Sequence, residues 1–141
     1  MKADARRLVI DASVTVAWCF AEEANKISER ALDLLYAGAE AVVPALWPFE
    51  VANALLVAEQ RKRISGSIIT ALLDRFASFQ VSVEPGDAVR TFGQILLLAR
   101  QQNLTVYDAA YLELASRRAL PLATLDDQLR RAARHAGVPL I

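Results

Sequence analysis

The chain alternates short runs of consecutive apolar residues with longer stretches in which apolar positions recur every three or four residues. Leu8-Val9-Ile10 is a continuous apolar run of the kind found in a strand buried on both faces. Ala41-Val42-Val43, closed by Pro44, reads as a second strand, and Val81 to Val83, Leu120 to Thr124 and Val138 to Ile141 as three more. Helical spacing fills the intervals. It runs over Ser13 to Glu23, then Lys26 to Ala37, where Ile27, Ala31, Leu34 and Leu35 share a face and Gly38 is a C-terminal stop. It resumes from Trp47 to Arg63, with Pro48 in the first turn, and from Ser67 to Phe79. Asp87 caps a helix running to about Gln102, Thr105 caps one ending near Arg118, and Asp126 to Ala136 is a last short helix. Strands separated by helices require crossover connections, hence a parallel sheet covered on both faces. The pattern predicts an α/β fold: a three-layer α/β/α sandwich around a short central parallel sheet. No linker, low-complexity tract or repeat interrupts it, so one domain is expected over residues 1–141.

Composition narrows the chemistry. Sixteen basic and sixteen acidic residues cancel, which excludes a histone-like polycation or an acidic tail. Hydrophobic residues make up 55% of the chain, above the usual range of about 45–50%, leaving apolar surface to spare for another chain. The longest apolar run, Ala41 to Phe49, is broken by Pro44 and Pro48 and is too short to span a bilayer. Met1 to Arg7 is too polar to lead a secretory signal, so a soluble, cytoplasmic protein is expected. Cys19 is the sole cysteine and His135 the sole histidine. No intrachain disulfide or cysteine-based zinc site can form, and a Ser-His-Asp device would have to use one imidazole in an Arg-rich helix end. If the chain is an enzyme, carboxylates carry its chemistry.

Most acidic residues have bland explanations: Glu113 has Arg117 at i+4, and Asp33 has Arg30 three positions before it. Asp11, Glu50, Asp108 and Asp126 instead sit in apolar surroundings. Asp11 follows the first strand directly, and Asp126 follows the strand Leu120 to Thr124. In a parallel sheet both leave the same edge, where α/β ligand sites lie. Glu50 and Asp108 fall near the first turns of their helices, have no Lys or Arg within four residues, and Asn53 one turn on is a candidate orienting partner for Glu50. Each alone could be a cap or a favourable helix-end charge, with Ser13 sharing the capping role of Asp11. Gathered in one cleft they would repel and raise one another's pKa, which a divalent cation would relieve, and an all-oxygen set suits Mg²⁺ or Mn²⁺.

Four segments carry a family likeness: Leu-Val-Ile-Asp-Ala-Ser at 8–13, Pro-Phe-Glu-Val-Ala-Asn-Ala-Leu at 48–55, Leu-Thr-Val-Tyr-Asp-Ala-Ala-Tyr-Leu at 104–112 and Leu-Ala-Thr-Leu-Asp-Asp-Gln-Leu at 122–129. In order, spacing and total length the chain resembles the PIN-domain ribonucleases, and among them the VapC toxins of bacterial toxin–antitoxin pairs. The resemblance implies a metal-dependent endoribonuclease. Asp11, Glu50 and Asp108 would form its acidic triad, Asp126 the more variable fourth member, and Thr124 the hydroxyl residue two before it. The position after Asp126, often basic in the family, is Asp127 here, and Asp126 is preferred as the one facing the metal. The implied cofactor is Mg²⁺ or Mn²⁺. The implied partners are an RNA substrate, with transfer RNA the family's most frequent target, a cognate antitoxin and a second copy of the chain.

Thirteen arginines against three lysines, clustered at Arg6-Arg7, Arg61-Lys62-Arg63, Arg117-Arg118 and Arg130-Arg131-Arg134, suit phosphate contacts despite the zero net charge. Trp18, Phe20, Trp47, Phe49 and Leu55-Leu56-Val57 are core candidates, some of which would form a dimer or antitoxin face. Competing folds fit less well. A phospho-receiver needs an acidic pair after its first strand and a late lysine, but the lysines are Lys2, Lys26 and Lys62. A haloacid-dehalogenase-type phosphatase needs Asp two residues after the first, where Ser13 stands. The alternative that remains is a PIN-like module that binds RNA or protein without cutting.

Overall fold

A computed structural model of the chain describes residues 6–141, so most of the polar stretch Met1 to Arg7 lies outside the described residues. The sheet holds β1 (Arg7–Ile10), β2 (Glu40–Pro44), β3 (Val81–Glu84) and β4 (Leu122–Ala123) in the order β3-β2-β1-β4, all parallel. Around it lie α1 (Ala12–Ala17), α2 (Lys26–Tyr36), α3 (Trp47–Gln60), α4 (Gly66–Ala77), α5 (Ala88–Arg90), α6 (Leu96–Gln102), α7 (Val106–Arg118) and α8 (Asp127–His135). The expected three-layer α/β/α sandwich is the observed one.

Successive strands step outward from β1 through β2 to β3, and β4 then returns to the other side of β1. The reversal leaves a crevice at the carboxyl ends of β1 and β4, where α/β folds place ligands. The paired residues of the strands bounding it are buried: Val9, Ile10, Leu122 and Ala123 expose none of their surface. α7 packs across β1, β2 and β4, and its seven consecutive residues Ala109 to Ala115 are all buried. A helix buried over seven consecutive residues lies inside the fold; Glu113, the charged member of that run, is paired with Arg117, and the alanines let the helix lie close to the sheet. Among the described residues no helix is long and apolar enough to cross a membrane.

The elements depart from the sequence expectation at four places. The helix expected over Ser13 to Glu23 ends at Ala17 and gives way to a separate 3₁₀ turn at Ala21–Glu23, the chain passing through extended backbone at Phe20 (φ −132, ψ 118). The helix from Asp87 to Gln102 is interrupted by a π-turn at Thr91–Ile95 that contains Gly93. Leu120 to Thr124 supplies a two-residue strand. Val138 to Ile141 supplies only a single parallel bridge from Leu140 to Leu122, because Pro139 has no N–H to extend the ladder.

Candidate active site

Asp11 leaves β1 as the N-cap of α1, its Oδ1 accepting from the backbone N–H of Val14 at 3.2 Å. Capping is one of its tasks, but the side chain is tied further. Ser13 Oγ donates to Oδ1 at 2.5 Å, and Thr124 Oγ1 donates to Oδ2. Both hydroxyls stitch the two sides of the crevice together. Ser13 Oγ accepts from Leu125 N–H at 3.0 Å, and Thr124 Oγ1 accepts from Asp126 N–H at 3.1 Å. Behind them Trp47 Nε1 donates to Thr15 Oγ1, which donates to the Asp11 carbonyl, so the base of α3 is held against α1.

Asp126 caps α8, its Oδ1 accepting from Leu129 N–H at 2.8 Å. Asp127 is exposed in the first turn of the same helix. Asp108 sits in the first turn of α7, its N–H capped by Thr105 Oγ1 at 3.1 Å. Glu50 sits in the first turn of α3 and is held from across the site: the buried Tyr111, one turn beyond Asp108, donates its hydroxyl to Oε1 at 2.6 Å. The orienting partner of Glu50 is therefore Tyr111 and not Asn53, which is exposed. The repeated tyrosines of Tyr107-Asp108-Ala109-Ala110-Tyr111 were the available signal, because position 111 lies one helical turn from Asp108.

These carboxylates feel one another. Burial holds Asp11 above the ordinary carboxylate range, against hydrogen bonds from Ser13, Thr124 and Val14 that lower it, and the charge of Glu50 adds to the rise. Burial raises Glu50, Tyr111 opposes, and Asp108 adds to the rise. Asp108 is raised by burial and by the charges of Asp126 and Asp11. None of the four makes an ion pair among the described residues, although other acids do. Arg130, four residues after Asp126, spends its guanidinium on the Thr124 carbonyl at 3.0 Å. Glu113 is buried against Arg117 at 2.8 Å, as its i+4 spacing suggests, and Glu84 takes both Arg117 and Arg118. Among the described residues the four acids of the site stand unpaired, whereas Glu22, Glu23, Glu40, Glu84, Asp87 and Glu113 have arginine partners.

The donor set is made of carboxylate oxygens flanked by two hydroxyls, hard ligands that fit Mg²⁺ or Mn²⁺ and not a soft metal. The carboxylates are coupled in pairs: among the described residues, no three Asp, Glu, His or Cys side chains are gathered closely enough to enclose an ion. Such a set matches Mg²⁺, which binds through one or two carboxylates and keeps waters or substrate oxygens elsewhere. The remaining nucleophile candidates are poor ones. Burial pushes the Cys19 thiol up to about 11, and His135 is exposed in the last turn of α8, away from any carboxylate partner.

Removing the Tyr111 hydroxyl isolates its effect on Glu50. Tyr111→Phe fills the same buried space and is expected to cost about 1 kcal/mol of stability for the lost hydrogen bond. Because that bond lowers the pKa of Glu50, its loss is expected to move the acid limb of any pH–rate profile governed by Glu50 to higher pH. An unmoved limb would show that Tyr111 has only a packing role.

Comparison with known proteins bears on the family and the fold. The family model described as PIN domain matches residues 8–135. The chain is 31% identical over 123 residues to a protein named Ribonuclease VapC3 from Pyrobaculum aerophilum, covering 87% of this chain and 92% of that one. The fold is similar to the crystal structure of PAE2754 from Pyrobaculum aerophilum, with a TM-score of 0.70 at 23% identity over 96% of this chain and 84% of that one. It is also similar to VapBC2 from Rickettsia felis bound to a DNA fragment from their promoter, with a TM-score of 0.64 at 14% identity over 96% of this chain and 97% of that one. By the span of the family match and the identity to the VapC3 relative, the chain belongs to the PIN-domain family, on its VapC branch.

Proposed function

We propose that this chain is a metal-dependent endoribonuclease, the toxin of a toxin–antitoxin pair, that hydrolyses phosphodiesters of transfer RNA or another structured RNA. The observation that carries the reading is the placement of Asp11, Glu50, Asp108 and Asp126 about the carboxyl edge of the sheet, coupled in pairs (Asp11 with Glu50, Glu50 with Asp108, Asp108 with Asp11 and Asp126) and none in an ion pair among the described residues. The 31% identity to a relative named as a ribonuclease supports it.

In this reading Asp11 and Asp108 would hold the ion, with Glu50 and Asp126 close by or holding a second one. A bound Mg²⁺ or Mn²⁺ would supply a lowered pKa for water and neutralise charge on the phosphoryl oxygens. Ser13 and Thr124 fix both oxygens of Asp11, so the site costs little reorganisation when substrate arrives. Glu50, raised by burial and oriented by Tyr111, accepts the proton of the attacking water. Thr124 also positions the backbone of Asp126, linking the fourth carboxylate to the first.

We further propose that the chain works as one domain in the cytoplasm, as a homodimer, and is inhibited by an antitoxin. The VapBC2 neighbour supports the antitoxin. Exposed apolar side chains support a protein partner: Phe49 is 80% exposed, Val89 82% and Phe92 75%. Of the apolar candidates singled out from the sequence, Phe20, Trp47 and Leu55 are buried in the core, whereas Phe49 and Leu56 stay exposed.

The test is incubation of purified, antitoxin-free protein with a total small-RNA pool, in Mg²⁺, in Mn²⁺ and in EDTA. Discrete fragments that form only with metal are expected, and sequencing their ends identifies the substrate. Intact RNA under every condition from a folded protein would replace this reading with a binding module that does not cut.

A further inference from the structure

The arginine clusters are not equivalent once folded. Arg7 pairs with Glu40, Arg63 with Glu22 and Glu23, and Arg117 and Arg118 with Glu84. Arg131 and Arg134 on α8 make no ion pair and no side-chain hydrogen bond to any described residue, and both are exposed. Asp127, one turn before Arg131, does not engage it. These two side chains, with His135 and Gln128 of α8, Gln102 at the end of α6 and Asn103 just after it, line a concavity of about 370 Å³. Its walls present guanidinium, imidazole and amide groups and no carboxylate. A second cleft, about 220 Å³ at the carboxyl ends of β2 and β3, differs: its Arg117 and Arg90 face Glu84 and Glu113. Basic side chains at a helix C-terminus favourably offset its dipole, but that role does not require a second chain segment to close a polar hollow around them.

The position of the hollow matters as much as its charge. Gln128 follows the Asp126 cap by two residues, and Asn103 precedes Thr105, the cap of the helix that carries Asp108. Along α8, Arg131 lies about 7 Å and Arg134 about 12 Å from Asp126. That distance is about two to four stacked nucleotides of one strand at about 3.4 Å each. Asn103 sits in the left-handed region at φ 54, where it ends α6 and turns the chain toward α7.

We propose that this concavity binds the phosphate backbone of the RNA strand flanking the cleavage point, with Arg131 and Arg134 as the phosphate contacts. Guanidinium forks suit phosphate oxygens, and the amides of Gln102, Asn103 and Gln128 add donors that read no base sequence. The inference rests on the nuclease reading above, and it adds that the strand leaves the carboxylate crevice along α8.

The test is fluorescence anisotropy of a labelled single-stranded oligoribonucleotide with the full chain in EDTA, where cleavage does not intervene. The Arg131→Gln/Arg134→Gln double variant, which keeps good helix formers, is expected to bind on the order of tenfold more weakly at about 0.1 M salt. The slope of log affinity against log salt is expected to become shallower by about 1.4, from two lost single-strand phosphate contacts. Arg30→Gln on α2, another exposed arginine without an ion pair, is expected to bind as the parent does. With Mg²⁺ the double variant is expected to raise KM and keep kcat. Parental affinity and slope in the double variant would overturn the inference and leave the nuclease standing. An equal loss in Arg30→Gln would also overturn it, as diffuse attraction. A parent protein that neither binds nor cuts RNA would overturn both.

Discussion

Asp11→Asn is expected to lower RNA cleavage by at least about 10²–10³-fold, the scale of removing one preorganised electrostatic group, while the protein keeps its fold. The substitution preserves shape in a site that is 4% exposed and removes only the charge. The hydrogen bonds rearrange at a cost: Val14 N–H and one hydroxyl can still donate to the Asn oxygen, while the other hydroxyl, which already accepts from a backbone N–H, must turn to receive the amide and gives up its own acceptor. Because burial penalises the Asp11 carboxylate, thermal stability without metal is expected to hold or rise. Asp108→Asn is expected to act alike, since Asp108 carries the repulsion of both Asp11 and Asp126. Cleavage of the identified RNA and thermal unfolding are measured side by side. Parental cleavage rates in both variants would remove the carboxylates from the mechanism.

Without metal, the contribution of Asp11, Glu50 and Asp108 to stability is expected to fall as pH rises from about 4 toward neutrality, opposite in sign to that of Glu22 and Glu84, whose pKa values are lowered, and divalent cation is expected to offset the loss. The sign follows from three groups. Asp11, Glu50 and Asp108 all have folded pKa values raised above their ordinary 3.8, 4.5 and 3.8. Below those ordinary values both folded and unfolded chains are protonated, and the contribution is fully present. As pH climbs through the raised folded values, the folded state must accept charges it disfavours, and the contribution is lost. A cation that binds only the folded protein, at about 100 times its Kd, adds about 2.7 kcal/mol. For a chain of this length that is roughly a 10 °C rise in Tm. Thermal melts at pH 5 and pH 7.5, with EDTA and then with Mg²⁺ or Mn²⁺, make the measurement. Asp11→Asn should flatten the pH dependence and weaken the rescue. A Tm insensitive to either cation at pH 7.5 would contradict a metal site here.

The folded site contains features that local patterning could not display. Tyr111 and Glu50 are 61 positions apart, and Thr124 and Asp11 are 113 apart. Their hydrogen bonds exist only because α7 lies across the sheet and β4 returns beside β1. The same holds for the arginines. Arg63 and Arg131 look alike in sequence, yet one folds against two glutamates 40 and 41 residues away and the other reaches none among the described residues. The last strand shows the limit from the other side: Val138 to Ile141 has strand composition, but Pro139 and a two-residue neighbour leave it one bridge.

What the sequence determined by itself is the alternation of strands and helices, and with it the parallel sheet and its carboxyl edge. It also placed Asp11 and Asp126 just after strands, and Glu50 and Asp108 in first turns. These are consequences of periodicity and of backbone groups needing partners within a few residues. Only the tertiary structure decided which acids are neutralised, which hydroxyls hold Asp11 and which arginines stay free. Those outcomes depend on strand order and on burial, which sets the energy of a charge by what surrounds it in space and not by its neighbours along the chain.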